Sequence, residues 1–203
     1  GYTIRMKVLH QGGSIKVGHQ QITVEGADEA TVFYTVDTEY SPVYPLYKGE
    51  KPRQTTEKII KSAITKGYET VKHTHISDYQ TLYNRVKFTL SGDTASEKLP
   101  TDIRVKQLQQ GFTDDASLKV LWFNLSRYLL ISASRPGTLP SNLQGVWNTF
   151  EKAPWNGNFQ SNINLQEMYW GCGPTQLPEC EEAYLEWIEG LVEPGRKTAG
   201  EYY

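Results

Sequence analysis

The stretch from Asn142 to Gln166 is the richest in residues that could do chemistry: Asn142, Gln144, Trp147, Asn148, Trp155, Asn156, Asn158, Gln160, Asn162, Asn164 and Gln166. A carboxamide both donates and accepts hydrogen bonds, so a set of them can match sugar hydroxyls or hold a water with its lone pair aimed at an electrophile. Asn162 and Asn164 stand two apart, and in an extended or loop segment that spacing sends both side chains to one side. Such a pair could grip one water from two directions. Loop carboxamides more commonly serve turns and helix caps. Trp147 and Trp155 add flat apolar bodies with one polar atom, suited to stacking on partly hydrated rings such as sugars.

The carboxylates nearby are less persuasive. Glycoside hydrolysis normally uses two, one as acid and one as base or nucleophile, and the candidates are Glu151, Glu167 and Glu179. Glu167 lies on the helix expected after the Asn pair, Glu179 falls where a helix N-terminus would favour a negative charge, and a structural role is the better reading of each. His10, His19, His73 and His75 make no metal-binding set, since a pair at i and i+2 diverges on a helix, and nothing implies a cofactor. Cys172 and Cys180 cannot form a metal site by themselves; free thiols and a disulfide both remain open. Asn124-Leu125-Ser126 has the pattern of a glycosylation sequon, but it lies inside a buried-looking helix and is discounted.

These residues sit in a chain of 203, long enough to bury a core without staples. Lys and Arg number 21 against 23 Asp and Glu, giving a net charge of −2 with both signs scattered, which argues against nucleic acid and anionic membranes as partners. No apolar run approaches the ~20 residues needed to span a bilayer. The aromatic share of 12%, with 13 Tyr and 5 Trp against 6 Phe, suits stacking on partly hydrated ligands such as sugars, although Tyr-rich sheet faces account for such a share more often.

The elements that must position the site change character along the chain. Up to Tyr40 the period is two: Ile4, Met6 and Val8, then Ile15 and Val17 after a Gln11–Ser14 turn, then Ile22 and Val24, then Thr31 to Val36. Four short strands read as one antiparallel sheet, too few for a closed sandwich. After a Pro-containing loop from Ser41 to Pro52, Thr56 can cap a helix ending at Gly67, and a second helix starts near Tyr68. Val86–Leu90 reads as a short strand and Ser91–Pro100 as a polar linker. From Thr101 the pattern is helical: Thr101 caps a helix to Gly111, then a longer helix starts at Asp114 or Asp115 with Leu118, Leu121, Trp122, Leu125, Tyr128 and Leu129 at three-and-four spacing, expected to be buried on more than one side. The loop Ser134–Gln160 interrupts, and helices near Ile163–Trp170 and Glu179–Leu191 follow. A last helical pattern begins after Pro194-Gly195. The opening residues look like a strand already under way and the last pattern is unfinished, so the chain reads as a piece of a larger protein.

The run Arg127-Tyr128-Leu129-Leu130-Ile131-Ser132-Ala133-Ser134-Arg135-Pro136-Gly137-Thr138-Leu139-Pro140-Ser141-Asn142-Leu143-Gln144-Gly145-Val146-Trp147-Asn148 resembles the signature of glycoside hydrolase family 95, the inverting α-L-fucosidases and α-L-galactosidases. The likeness continues through Pro154-Trp155, Asn162-Ile163-Asn164-Leu165-Gln166, Tyr169-Trp170, Glu179-Cys180 and Glu193-Pro194-Gly195-Arg196. Upstream, Val24-Glu25-Gly26-Ala27-Asp28, Lys66-Gly67-Tyr68 and His75-Ile76-Ser77-Asp78-Tyr79 also fit it.

The resemblance implies a multidomain α+β architecture: residues 1–52 as the closing strands of an N-terminal β-sandwich, 53–100 as a helical linker, and 101–203 as the opening helices of an (α/α)6 catalytic barrel. It implies that Asn162 and Asn164 orient the water attacking the anomeric carbon, assisted by an Asp, while a Glu protonates the leaving oxygen. That Glu and that Asp belong to barrel segments outside this chain. It places Gln160 against the sugar, at a position where many members carry His or Thr, which leaves fucose and galactose both open; Trp147 and Trp155 are expected to bind substrate. Gly171-Cys172-Gly173 stands where members usually read Pro-Ala-Glu, implying a reshaped loop at the barrel mouth and a shifted or different sugar. A glycan substrate, the remainder of a parent polypeptide as partner, and a bacterial, extracytoplasmic setting follow from the resemblance alone. A non-catalytic carbohydrate-binding or scaffold protein, using the aromatic loop, is the competing expectation.

Overall fold

Alternation in the first forty residues gives strands of the expected sense, but not the single four-stranded sheet. The structure, a computed structural model, describes residues 1–92, 95–111 and 114–203 and divides into two units, one of residues 1–77 with 200–203 and one of residues 78–199. In the first, β1 (Tyr2–Gln11) pairs antiparallel with β4 (Glu29–Thr38), from Tyr2 opposite Thr38 to Gln11 opposite Glu29. The two strands between them, β2 (Ser14–Val17) and β3 (Ile22–Glu25), pair only with each other. Gly12 and Gly13 explain the separation: both have positive φ, and a Cβ on Gly13 would lie 2.2 Å from the Glu25 carbonyl oxygen, so only glycine admits so tight an exit from β1.

Helix α1 (Pro52–Lys66) covers one face of the β1–β4 ribbon. Arg5 donates to the Arg53 carbonyl at 3.3 Å and Thr55 donates to Asp37, and the covered side chains, Thr3, Arg5, Phe33, Thr35 and Asp37, are half-buried. The opposite face presents Tyr2, Ile4, Met6, Val32, Tyr34 and Val36 to solvent. Thr56 does not cap α1. The helix starts a turn earlier, with Pro52 in its first turn and Lys51 preceding it, because proline's fixed φ suits that position. Thr56 is fully buried within the helix and donates back to the Pro52 carbonyl at 2.7 Å. Gly67 ends α1 as expected, at φ 77. Helix α2 (Tyr68–Tyr83) follows, and the division between the units falls within it.

The second unit is helical, and with the small antiparallel sheets of the first it makes an α+β chain. Val86–Leu90 forms no strand; these residues have no β partner among the described residues. Thr101 is the first residue of α3 (Thr101–Gln109), not its cap, since Pro100 precedes it. Asp115 does cap α4 (Ala116–Ala133), accepting from the Leu118 amide at 2.9 Å. The same carboxylate takes two hydrogen bonds from Arg104, at 2.8 and 2.9 Å, in a buried ion pair that fastens α3 to the start of α4.

Burial of α4 on several sides is not what the structure shows. Leu118, Arg127, Ile131 and Ala133 face inward, while Leu121, Trp122, Leu125, Tyr128 and Leu129 are exposed, because the neighbouring helices cover one side only. The core of the unit joins Leu82 of α2, Ile131 of α4, Leu165 and Tyr169 of α5 (Asn164–Tyr169), Cys172, Leu177, and Cys180 of α6 (Pro178–Gly190). The last helix, α7 (Val192–Tyr202), begins earlier than expected and runs through Pro194 and Gly195, with the proline in the first turn where its missing N–H is harmless.

Candidate active site

Where α4 ends, a buried relay fixes the start of the amide-rich loop. Ser134 Oγ donates to the Cys180 carbonyl at 2.7 Å. A hydroxyl has one proton, so the 2.7 Å contact between Ser134 Oγ and the Tyr169 hydroxyl must be donated by Tyr169. The tyrosine oxygen in turn accepts the Ser141 backbone N–H at 2.9 Å. The chain Ser141, Tyr169, Ser134, Cys180 thus links the loop, α5, the end of α4 and α6. The Tyr169 ring stacks on Tyr184 with centroids 4.9 Å apart, and burial raises its phenol pKa.

Downstream the loop folds on its own carboxamides. Asn142 and Gly145 form an isolated β-bridge, the Asn142 side chain accepts from the Gln144 amide at 2.9 Å, and Gln144 donates to the Pro154 carbonyl at 3.0 Å. Asn148 brackets Phe150, donating to its carbonyl at 2.9 Å and accepting from its amide at 3.3 Å. Gln160 donates to the Asn158 side chain at 2.7 Å, and Gln166 to the Ser161 carbonyl at 3.1 Å. These five carboxamides and that of Asn158 are doing the turn-making that loop amides commonly do.

Three are not. Among the described residues the carboxamides of Asn156, Asn162 and Asn164 have no intramolecular hydrogen-bond partner, and all three are exposed. Asn162 sits in the turn before α5 and Asn164 is the first residue of that helix. The segment is not extended: Ile163 between them has φ −147 and ψ −41, so their relation is that of a turn entering a helix, not of alternate residues on a strand. Gln160 has positive φ, 49°, and its carbonyl accepts the Leu165 amide at 3.2 Å, which closes the turn carrying Asn162.

The two tryptophans part company. Trp147 borders a cleft of about 320 Å³ together with Leu129, Leu130, Ala133, Gln144 and Met168. Gly145 makes room for it: φ is 65, and a Cβ there would lie 3.1 Å from the indole. Trp155 lies outside that lining, 74% exposed, at the head of a left-handed turn in which Trp155, Asn156 and Gly157 have φ 55, 58 and 62. An aromatic residue in that region is strained, and strain of this kind collects at functional sites.

The carboxylates sort cleanly. Glu179, near the start of α6, accepts two hydrogen bonds from Arg85, at 2.6 and 2.8 Å, and these chiefly lower its pKa to about 2. A carboxyl so readily ionised is a poor proton donor at neutral pH. Glu151 and Glu167 are exposed. Cys172 and Cys180 are free and fully buried, so the Gly171–Gly173 segment turns its thiol into the core. Sequence reasoning passed over Ser134, Tyr169 and Arg85. A tyrosine on an apolar helix face reads as core, and the only available signal was a serine at the end of α4.

Comparison with known proteins adds the family. The family model described as the glycosyl hydrolase family 95 catalytic domain matches residues 67–203. "Alpha-L-fucosidase 2" of Arabidopsis thaliana is 35% identical over 200 residues, 97% of this chain and 24% of that protein. "Probable alpha-fucosidase A" of Aspergillus niger is 34% identical over 182 residues, covering 86% of this chain and 23% of the relative, and the Aspergillus oryzae protein of the same name is 36% identical over 169 residues, covering 81% and 22%. The chain therefore spans about a quarter of the length of these curated relatives. They come from a plant and two fungi, so the expected bacterial source gains no support from them. With two thirds of its residues inside the catalytic-domain match, the chain belongs to glycosyl hydrolase family 95.

Proposed function

We propose that the chain is part of an inverting exo-glycoside hydrolase that removes terminal α-L-fucose, or α-L-galactose, from glycans in an extracytoplasmic setting. Asn162 and Asn164 orient the attacking water, Gln160 borders the sugar, and Trp147 and Trp155 offer it aromatic faces. The observation that carries this reading is the contrast within one loop: six carboxamides are occupied by turn-making hydrogen bonds, whereas the two in the motif stand exposed without partners. An amide cannot take up a full proton at neutral pH, but it can hold and polarise a water whose proton passes to a carboxylate nearby. That carboxylate and the general acid lie in other segments of the parent polypeptide, and inversion needs roughly 6.5–9.5 Å between the acid and base sides for the water to fit. The names of the three fucosidase relatives support fucose as the first sugar to try.

The test is turnover of α-L-fucosides and α-L-galactosides by the complete polypeptide. Asn162→Ala and Asn164→Ala each lower kcat by about 100-fold or more, the scale seen for loss of a positioned acid–base or water-orienting group, with unchanged circular dichroism. Near-normal turnover in both variants refutes the assignment. The isolated 203-residue chain releases no sugar; measurable release would show that it holds the general acid after all.

A further inference from the structure

The shortest α-helix among the described residues of the second unit carries Asn164 at one end and Tyr169 at the other. Six residues form too few turns to hold a helix in place by propensity, so the direction of α5 is set by what its side chains grip. Its two buried residues are Leu165, which packs in the core without directional preference, and Tyr169, whose hydroxyl supplies the directional contact. That one oxygen receives the Ser141 N–H and gives its proton to Ser134, whose hydroxyl is itself spent on the Cys180 carbonyl. We propose that Tyr169 is a positioning residue for hydrolysis: its hydroxyl locks the start of the amide-rich loop and the helix bearing Asn164 into one frame. The inference rests on the reading of Asn162 and Asn164 as water-orienting residues.

The packing and the hydrogen-bonding roles of Tyr169 are separable. Its ring stacks on Tyr184, a contact phenylalanine keeps. Removing the oxygen leaves the buried Ser141 N–H without its acceptor and Ser134 without its donor, so the loop and α5 relax toward other partners. A displacement of about 1 Å of a group that orients a reactant can cost on the order of 100-fold in rate.

The experiment compares Tyr169→Phe, Ser134→Ala, the double variant and Asn164→Ala in the complete polypeptide, with kcat and KM measured on an α-L-fucoside well below every thermal midpoint. Tyr169→Phe and Ser134→Ala each lower kcat by about 10- to 100-fold, leave KM within about threefold, and combine to no more than the larger single effect, because both cut the same relay. A purely structural hydroxyl would lower the thermal midpoint and leave kcat alone. If Asn164→Ala abolishes turnover while Tyr169→Phe stays within twofold of the parent kcat, the inference is overturned and the role of the Asn pair stands. If Asn164→Ala itself turns over normally, both are overturned. Should Tyr169→Phe fail to fold, Ser134→Ala decides: loss of kcat at unchanged KM supports the relay, and an unchanged kcat removes it.

Discussion

Replacing Glu179 by Gln separates two roles that a carboxylate beside an amide-rich loop could have. In the structure the residue is half of a bidentate pair with Arg85, whose guanidinium also donates to the Thr81 and Gln176 carbonyls and so ties the end of α2 to the start of α6. The folded-state pKa of about 2 lies below the ordinary 4.5, so the pair stabilises the fold fully above pH 4.5 and that contribution fades as pH falls toward 2. The gap sets a ceiling of ~3 kcal/mol. Both side chains are about a third exposed, 28% and 34%, and solvent screening reduces the expected contribution to about 1 kcal/mol. Urea unfolding of Glu179→Gln and the parent, at pH 7 and pH 3, reads this directly: the variant is less stable by about 1 kcal/mol at pH 7, and the difference shrinks at pH 3. Turnover of the complete polypeptide stays within about threefold of the parent. A difference that persists unchanged at pH 3 refutes the electrostatic argument, and a kcat loss of orders of magnitude in a folded variant makes Glu179 a participant in the chemistry.

Asp115→Ala strands the buried Arg104 charge and removes the cap of α4, and costs about 3–5 kcal/mol in chemical denaturation; Asp115→Asn, which keeps an acceptor for Leu118, costs less. Burial pushes the Cys172 and Cys180 thiols up to about 12 and about 11, so at pH 8 neither is labelled by a maleimide in the native protein and both are labelled in denaturant; native labelling would contradict their placement. Leu118→Ala, at a position with no exposed surface, lowers the unfolding free energy by roughly 3 kcal/mol.

Much of this was legible from residue types and spacing. Gly67 marked the end of α1 and Asp115 the start of α4, because a positive φ and an amide in need of an acceptor are local demands that particular residues meet. The sheet was misjudged for a non-local reason: strand alternation states which residues share a face, not which strands pair, and the Gly12-Gly13 turn sent β2 and β3 off together. Val86–Leu90 has strand-like residues and no edge to join. In the site, the Asn pair could be singled out by its motif, but its freedom from internal hydrogen bonds depends on where every other amide of the loop finds a partner. The Ser134–Tyr169 relay spans 35 residues and three elements, and no spacing rule reaches that far.

Arg127 ties three segments of the second unit to one another. Its side chain is 3% exposed, its guanidinium donates to the carbonyls of Leu82 and Tyr83 at 3.1 and 2.8 Å and of Thr175 at 3.3 Å, and it lies 5.3 Å from the Tyr83 ring centroid; among the described residues no carboxylate pairs with it. Stripping water from a guanidinium before those carbonyls are in place costs several kcal/mol. The cost of burying Arg127 is therefore offset in full only when all of these carbonyls are in place. The end of α2, the middle of α4 and the turn at Thr175 therefore depend on one another through this one side chain, and lysine, with a single ammonium in place of the planar fork, cannot reproduce the set of contacts.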